Sequence, residues 1–398
     1  VAGLIQRAGE LEPEFIAIRR EIHQNPETAF QEFKTTELIK KELEHCKIDI
    51  SNNGDQTGVV GCLSGKYPGK VVALRADIDA LKLTEMTGLP FSSRNSGVCH
   101  ACGHDIHTAA LLACARLLSE RRNDLHGTVK FIFQPAEESE GGAKSIISNG
   151  FLENPKVGAV FGAHTWPEIS GGHIGVRKGP MLAGSDQFRI SVHAKGGHAA
   201  HPHKTADPIV VAAYIITQLQ TIVSREIMPV EPAVITVGKM TAGTASNIIP
   251  SVAVLEGTVR TIHNDTRARI QESIERIATM TAQSLNASAQ VEYWHKYDPT
   301  ISVDAMVDLV IESATRLLGK EKIIELPTTS MGGEDFSYYL EKIPGAYFRL
   351  GTTDGHPESE LSLHNSRLVF SEKAIMTGAI TMCGIVFLYT DSDFTTLL

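Results

Sequence analysis

GTVKFIFQPAEE, residues 127–138, reads as a strand stopped by Pro135, with two carboxylates directly beyond the stop. KVVALRADIDAL (70–81) opens with another short apolar run, and VGAVFGAHTWP (157–167) reads as a third strand. Between and before them lie segments of helical periodicity: EPEFIAIRREIHQNP (12–26), TTELIKKELEHC (35–46) and DIHTAALLACARLLSE (105–120), the last with Asp105 as N-cap. SVDAMVDLVIESATRLLG (302–319) and AYFRLGTT (346–353) resume the alternation of helix and strand. Apolar strands alternating with helices predict an α/β domain whose mixed, mostly parallel sheet is covered on both faces.

The middle of the chain changes character. DQFRISVHAKGG (186–197) is a strand, and ADPIVVAAYIITQLQTIVSRE (206–226) is a long helix with Asp207 at N-cap and Pro208 at the first helical position. PAVITVGKMTAG and SVAVLEGTVRTI are two further strands. NDTRARIQESIERIATMTAQSLN (264–286) is an amphipathic helix, and ASAQVEYWH (287–295) closes the set. The order β-α-β-β-α-β is that of a ferredoxin-like α+β unit. The expected organisation is a large domain, 1–183 and 295–398, interrupted by a smaller one, 184–294.

Composition narrows the function. The 398 residues suffice for a sizeable core. A net charge of -9 argues against nucleic acid as partner, because phosphate binding needs a basic surface. No apolar run is read as a membrane span and no signal-peptide pattern opens the chain. Six cysteines in a chain this long are too few for a disulfide scaffold, so free thiols in a reducing, cytoplasmic compartment are expected.

The strands of the large domain end in polar residues that a core would not tolerate. Strand 71–74 runs into Arg75, Asp77 and Asp79, strand 128–134 into Glu137 and Glu138, and strand 158–163 into His164. Ligands of open α/β sheets bind beyond the carboxyl ends of the strands, so these groups converge on one expected cleft. CHACGHDIH (99–107) lies just before a helix and holds six possible ligands. No second C-x-x-C exists, which disfavours a structural four-cysteine zinc site. Cys102 and His104, two apart around Gly103, share a face if the loop is extended. Asp105 and His107 would lie behind them and orient the ligating imidazole. The sides of the loop taken by Cys99 and His100 stay open. Adjacent carboxylates buried at a strand end repel unless a cation relieves them. One of Glu137 and Glu138 can then bind metal while the other serves as general base to the attacking water.

The segments LRADIDAL, HACGHDIHTA, FQPAEESEGGA, GAHTWP, GGHAAHPH, ASNIIP, GTVRT, GGEDFSYY and LHNS occur in this order from Leu74 to Ser366. Together they resemble the M20 metallopeptidase superfamily, in its amidohydrolase branch. The resemblance implies two divalent ions per subunit (Mn, Zn or Ni), held by Cys102, His104, Glu138, His164 and His364. It implies Glu137 as general base and Asp77 as support of the metal centre, although Arg75 stands where other members of the superfamily have a ligating histidine. It also implies that the insert is a lid and dimerisation domain. There His198 would stabilise the oxyanion, and Asn247 and Arg260 would contact substrate. Lys82 in DALKL and His201 in HAAHPH depart from the branch's usual residues and bear on substrate preference. The implied activity is hydrolysis of N-acyl amino acids by a homodimer. The alternatives are a dipeptidase or carboxypeptidase of the same superfamily and a non-catalytic metal-binding protein.

Overall fold

The computed structural model describes residues 2–139 and 141–391. The chain forms two compact units. The first runs up to Met181 and resumes with Ile301–Pro327 and from Tyr338 onward, and the second comprises Leu182–Thr300 and Thr328–Ser337.

The first unit is built on an eight-stranded sheet. Across it lie Asp49–Asn52, Val59–Ser64, His126–Gln134, Tyr67–Asp77, Ala159–Ser170, Gly345–Thr353, Ile174–Val176 and Ile323–Glu325. The four central strands, His126–Gln134 to Gly345–Thr353, are mutually parallel, and their outer neighbours Val59–Ser64 and Ile174–Val176 run antiparallel to them. Parallel strands are buried on both faces, which is why Val72, Leu74, Phe131, Phe133, Val160 and Phe161 are all inaccessible to solvent. The parallel arrangement brings the carboxyl ends of Tyr67–Asp77, His126–Gln134 and Ala159–Ser170 to one edge.

Helices extend the sequence reading at several points. The first begins at Ala2 rather than Glu12 and passes through Pro13. Leu4, Ala8, Leu11, Phe15, Ile18 and Ile22 form one buried stripe along it. Burial of each large side chain stabilises by about 1.5–3 kcal/mol, enough in sum to offset the ~3 kcal/mol cost of an internal proline. The helix His104–Glu120 starts one residue earlier than expected, and its N-cap is Gly103 in the left-handed region, not Asp105. The Asp105 carboxylate instead meets His23 and Arg19 of the first helix. The helix Lys373–Thr390 is long and apolar enough to cross a membrane by composition, contrary to the expectation of no such run. It is mostly buried, packed on His104–Glu120 and Asp304–Leu317, so its apolarity is that of a core helix.

The second unit has a four-stranded antiparallel sheet in the order Ala233–Ala242, Val252–Thr261, Gly184–His193, Ser288–Tyr297. With the helices Pro208–Thr221 and Asn264–Ser284 this is the ferredoxin-like arrangement. Asp207 caps the first of these helices, its carboxylate accepting from the Ile209 amide. Phe188, Ile190, Leu255, Ile215, Leu219, Ile270 and Ile274 form a separate core.

Candidate metal centre

Gly103 has φ 84°, and a Cβ there would lie 2.6 Å from the Thr165 hydroxyl. The missing side chain lets the loop press against Thr165, midway along the strand Ala159–Ser170. Thr165 fixes that contact: its hydroxyl donates to the Cys102 carbonyl at 2.6 Å and its amide donates to His107 Nε2 at 2.8 Å. Cys102 and His104 thus leave the glycine into the space beyond the sheet.

Each imidazole has its tautomer set by what lies behind it. His164 Nδ1 donates to the Thr165 carbonyl at 2.8 Å, which leaves Nε2 for the centre, 3.4 Å from Cys102 Sγ. His104 Nδ1 faces Asp79 Oδ1 at 3.3 Å, which leaves its Nε2. His107 accepts from Thr165 at Nε2 and donates from Nδ1 to Asp77 Oδ1 at 2.5 Å, so both its nitrogens are spent on support. Asp77 is fully buried and also binds Arg75 Nη1 at 2.6 Å, while Arg75 Nε reaches Gln134 Oε1 at 2.9 Å. Asp79 takes the orienting role expected of Asp105, and it also accepts from the Glu138 amide at 3.0 Å.

Five of the residues named from sequence converge here. Cys102, His104 and His164 form one group of closely spaced donors, and Cys102, Glu138 and His364 form a second. Cys102 belongs to both groups. Glu137 shares a third group with His104 and Glu138. His364 reaches the cluster from a loop in which it has φ 64° and its amide donates to the Ala101 carbonyl at 2.9 Å. Its Nε2 is 3.3 Å from Glu138 Oε1.

The donor set fits divalent metal. His104 Nε2 is buried without a hydrogen bond among the described residues and stands 3.8 Å from Glu138 Oε1. An orphaned buried polar atom is costly, and a cation that binds it removes the cost. Charge points the same way. Burial works against a charged His104, but Asp77, Asp79 and Glu138 prevail and raise its pKa to about 10. Burial, with the nearby Glu138, Glu137 and Asp77 carboxylates, pushes the Cys102 thiol well up. Burial and the neighbouring His107 bring His164 down to about 3, a neutral ligand. The surplus negative charge holds protons that metal binding would release.

His100, whose orientation the sequence left open, is buried with neither ring nitrogen hydrogen-bonded among the described residues, 6.2 Å from the His23 ring. All six cysteines are free. Thr165 and Asp79 carry more of the centre's geometry than sequence reasoning gave them. Thr165 had no signal beyond adjacency to His164, whereas Asp79 was visible only as one of several polar strand-end residues.

The remaining named residues belong to the second unit. His198 lies in a two-residue bridge with Ile248, its Nδ1 accepting from the Ala200 amide at 3.0 Å and its ring 5.4 Å from that of His201. The Asn247 carbonyl accepts from the Ala199 amide at 3.1 Å. Arg260 is half-buried, with Gly333 packed closely against its guanidinium.

A mixed α/β sheet carries, at one edge, a buried Cys/His/carboxylate cluster able to hold divalent metal. The chain belongs to peptidase family M20/M25/M40, whose model matches residues 73–387. It is 41% identical to an N-acetyl-L-cysteine deacetylase of Bacillus subtilis over 92% of this chain and 86% of the relative. It is 38% identical to the hippurate hydrolase of Campylobacter jejuni over 94% and 96%. Among solved structures, the Bacillus subtilis YXEP protein, a dinuclear metal binding peptidase of family M20, superposes with a TM-score of 0.85 at 36% identity, covering 96% and 99%.

Proposed function

We propose that this protein hydrolyses the amide bond of N-acyl amino acids, with Glu137 as general base beside two divalent ions held by Cys102, His104, Glu138, His164 and His364. The observation that carries this reading is a pair of adjacent glutamates placed at one group of metal donors. Glu138 lies within reach of Cys102, His364 and His104, and Glu137 stands beside it, also within reach of His104. The ions would polarise the acyl carbonyl and acidify water. Glu137 takes the proton of the attacking water and returns it to the leaving amine nitrogen. Asp77, Asp79 and His107 keep the donors in place, and Thr165 fixes the loop that presents Cys102 and His104. In the second unit we assign His198 to the oxyanion, and Asn247 and Arg260 to the substrate's carboxylate. The names of the deacetylase and hippurate hydrolase relatives support an acylated amino acid as substrate. Homodimerisation through the second unit is supported by apolar side chains left exposed on its helix and edge strand, among them Val210, Tyr214, Val234 and Met240.

The test is a chelated preparation restored with Mn, Zn, Co or Ni and assayed on hippurate, N-acetyl amino acids and simple dipeptides. Activity should vanish on chelation, return with metal and favour the acyl amino acids. A preference for dipeptides would move the protein to the peptidase reading, and tight metal binding without turnover of any substrate would contradict hydrolysis. The mass of the same preparation in solution reads the dimer, against 43.1 kDa for one chain.

A further inference from the structure

Glu32 immediately precedes the helix Phe33–His45, where a side chain ordinarily caps the first turn. It makes no such bond. Glu27 takes that part, accepting from the amides of Lys34 and Thr35 and from the Thr35 hydroxyl. The Glu32 carboxyl is instead wholly buried. One oxygen accepts from the Thr57 hydroxyl, and the other accepts from the backbone amide of Ala136 at 2.9 Å. Burial pushes its pKa up to about 7, against the Thr57 hydrogen bond. A carboxyl kept in so unfavourable a place needs a reason beyond linking a helix to a turn.

Ala136 supplies one. It lies between Pro135 and Glu137 and has φ 56°, a region costly to an L side chain. Such conformations persist only where the surroundings over-determine them. The Ala136 carbonyl accepts from the Gly142 amide at 3.0 Å, and Gly142 sits so close that a Cβ would lie 1.7 Å from the Pro135 carbonyl. Beyond Glu137, the Glu138 amide is held by Asp79. The backbone around Glu137 is therefore pinned on each side by a buried carboxyl, Glu32 before it and Asp79 after it.

We propose that Glu32 is a positioning residue that holds Ala136 in its strained conformation and thereby aims Glu137 at the attacking water. The proposal rests on the reading of Glu137 as general base. Without the Glu32 acceptor, Ala136 relaxes towards negative φ and the peptide entering Glu137 turns with it. Glu138, anchored separately through Asp79, keeps its place among the metal donors. The loss falls on the chemical step and spares metal binding.

The experiment compares Glu32→Leu, Glu32→Gln and Glu137→Gln in the metal-loaded full chain, reading kcat, KM and metal per chain on one N-acyl amino acid. Glu32→Leu should lower kcat by about tenfold to a hundredfold with KM and metal content unchanged, since small misplacements of a reacting group cost rates of that order. Glu32→Gln keeps an acceptor for Ala136 and should recover most of kcat. In the Glu137→Gln background, Glu32→Leu should add less than about a twofold loss, because the two act through one group. Unchanged kcat in Glu32→Leu, a loss of metal, or an equal loss in both Glu137 backgrounds overturns the proposal. If Glu32→Leu does not fold, Thr57→Val decides: a fall in kcat of about threefold or more supports it, and unchanged kcat overturns it. Near-normal turnover of Glu137→Gln itself removes the general-base reading, whatever Glu32 does.

Discussion

Gly103 shows how much of the centre depends on one absent side chain. A Cβ at this position meets the Thr165 hydroxyl and must also adopt a positive φ. Strained backbone costs about 1–3 kcal/mol and overpacking about the same again, a large share of a typical stability of about 5–15 kcal/mol. Gly103→Ala should therefore lower the melting temperature and weaken metal binding together, because the strain lies between two proposed ligands. Calorimetry with and without added metal checks this. A variant with wild-type melting temperature and metal affinity would contradict the packing described for Thr165. The sequence marked Gly103 as a place where backbone could approach an ion. The neighbour it approaches, Thr165, lies 62 positions along the chain and gave no local sign of the contact.

At the scale of elements, apolar runs that stop at polar residues were readable because the apolar body of a buried strand and the polar residues that follow it have opposite chemistry. Arg75, Asp77, Glu137, Glu138 and His164 could all be placed at one sheet edge that way. Helix starts were less legible. Asp105 has the right residue type for an N-cap, yet a buried arginine and histidine from the first helix compete for its carboxylate. That competition is tertiary and leaves no trace in the local pattern. The same helix also anchors the stretch that follows the strand Tyr67–Asp77. Glu85 accepts from the Ser93 amide at 2.6 Å and lies 3.3 Å from His23 Nε2. Burial opposes its ionisation, but the hydrogen bonds from His23 and Thr87 prevail and lower its pKa to about 2. A carboxyl with a depressed folded-state pKa contributes stability above its unfolded value of about 4.3 and loses it as pH falls towards 2. Unfolding free energy should accordingly drop more steeply between about pH 4.5 and 2 in the wild type than in Glu85→Gln. Parallel curves from denaturant titrations across that range would show that Glu85 is not held this way.

For the whole molecule, the alternation of patterns announced two architectures in one chain, an α/β sheet and a ferredoxin-like unit, since period and strand order differ between them. The apolar helix Lys373–Thr390 was the largest element left unread, because a buried core helix lacks the polar face that reveals amphipathic ones. The site was legible as residue types at strand ends. Which donors lie close enough to one another to share an ion, and that Cys102 belongs to two such groups, required the folded chain. In the proposed mechanism, metal binding and general-base catalysis are separate functions carried by adjacent residues, Glu138 and Glu137. The most direct measurement is kcat of Glu137→Gln on an N-acyl amino acid, with metal counted in the same sample. Two ions per chain with kcat reduced by about 10²–10⁴-fold is the expected result. Two ions per chain with near-normal kcat would contradict it.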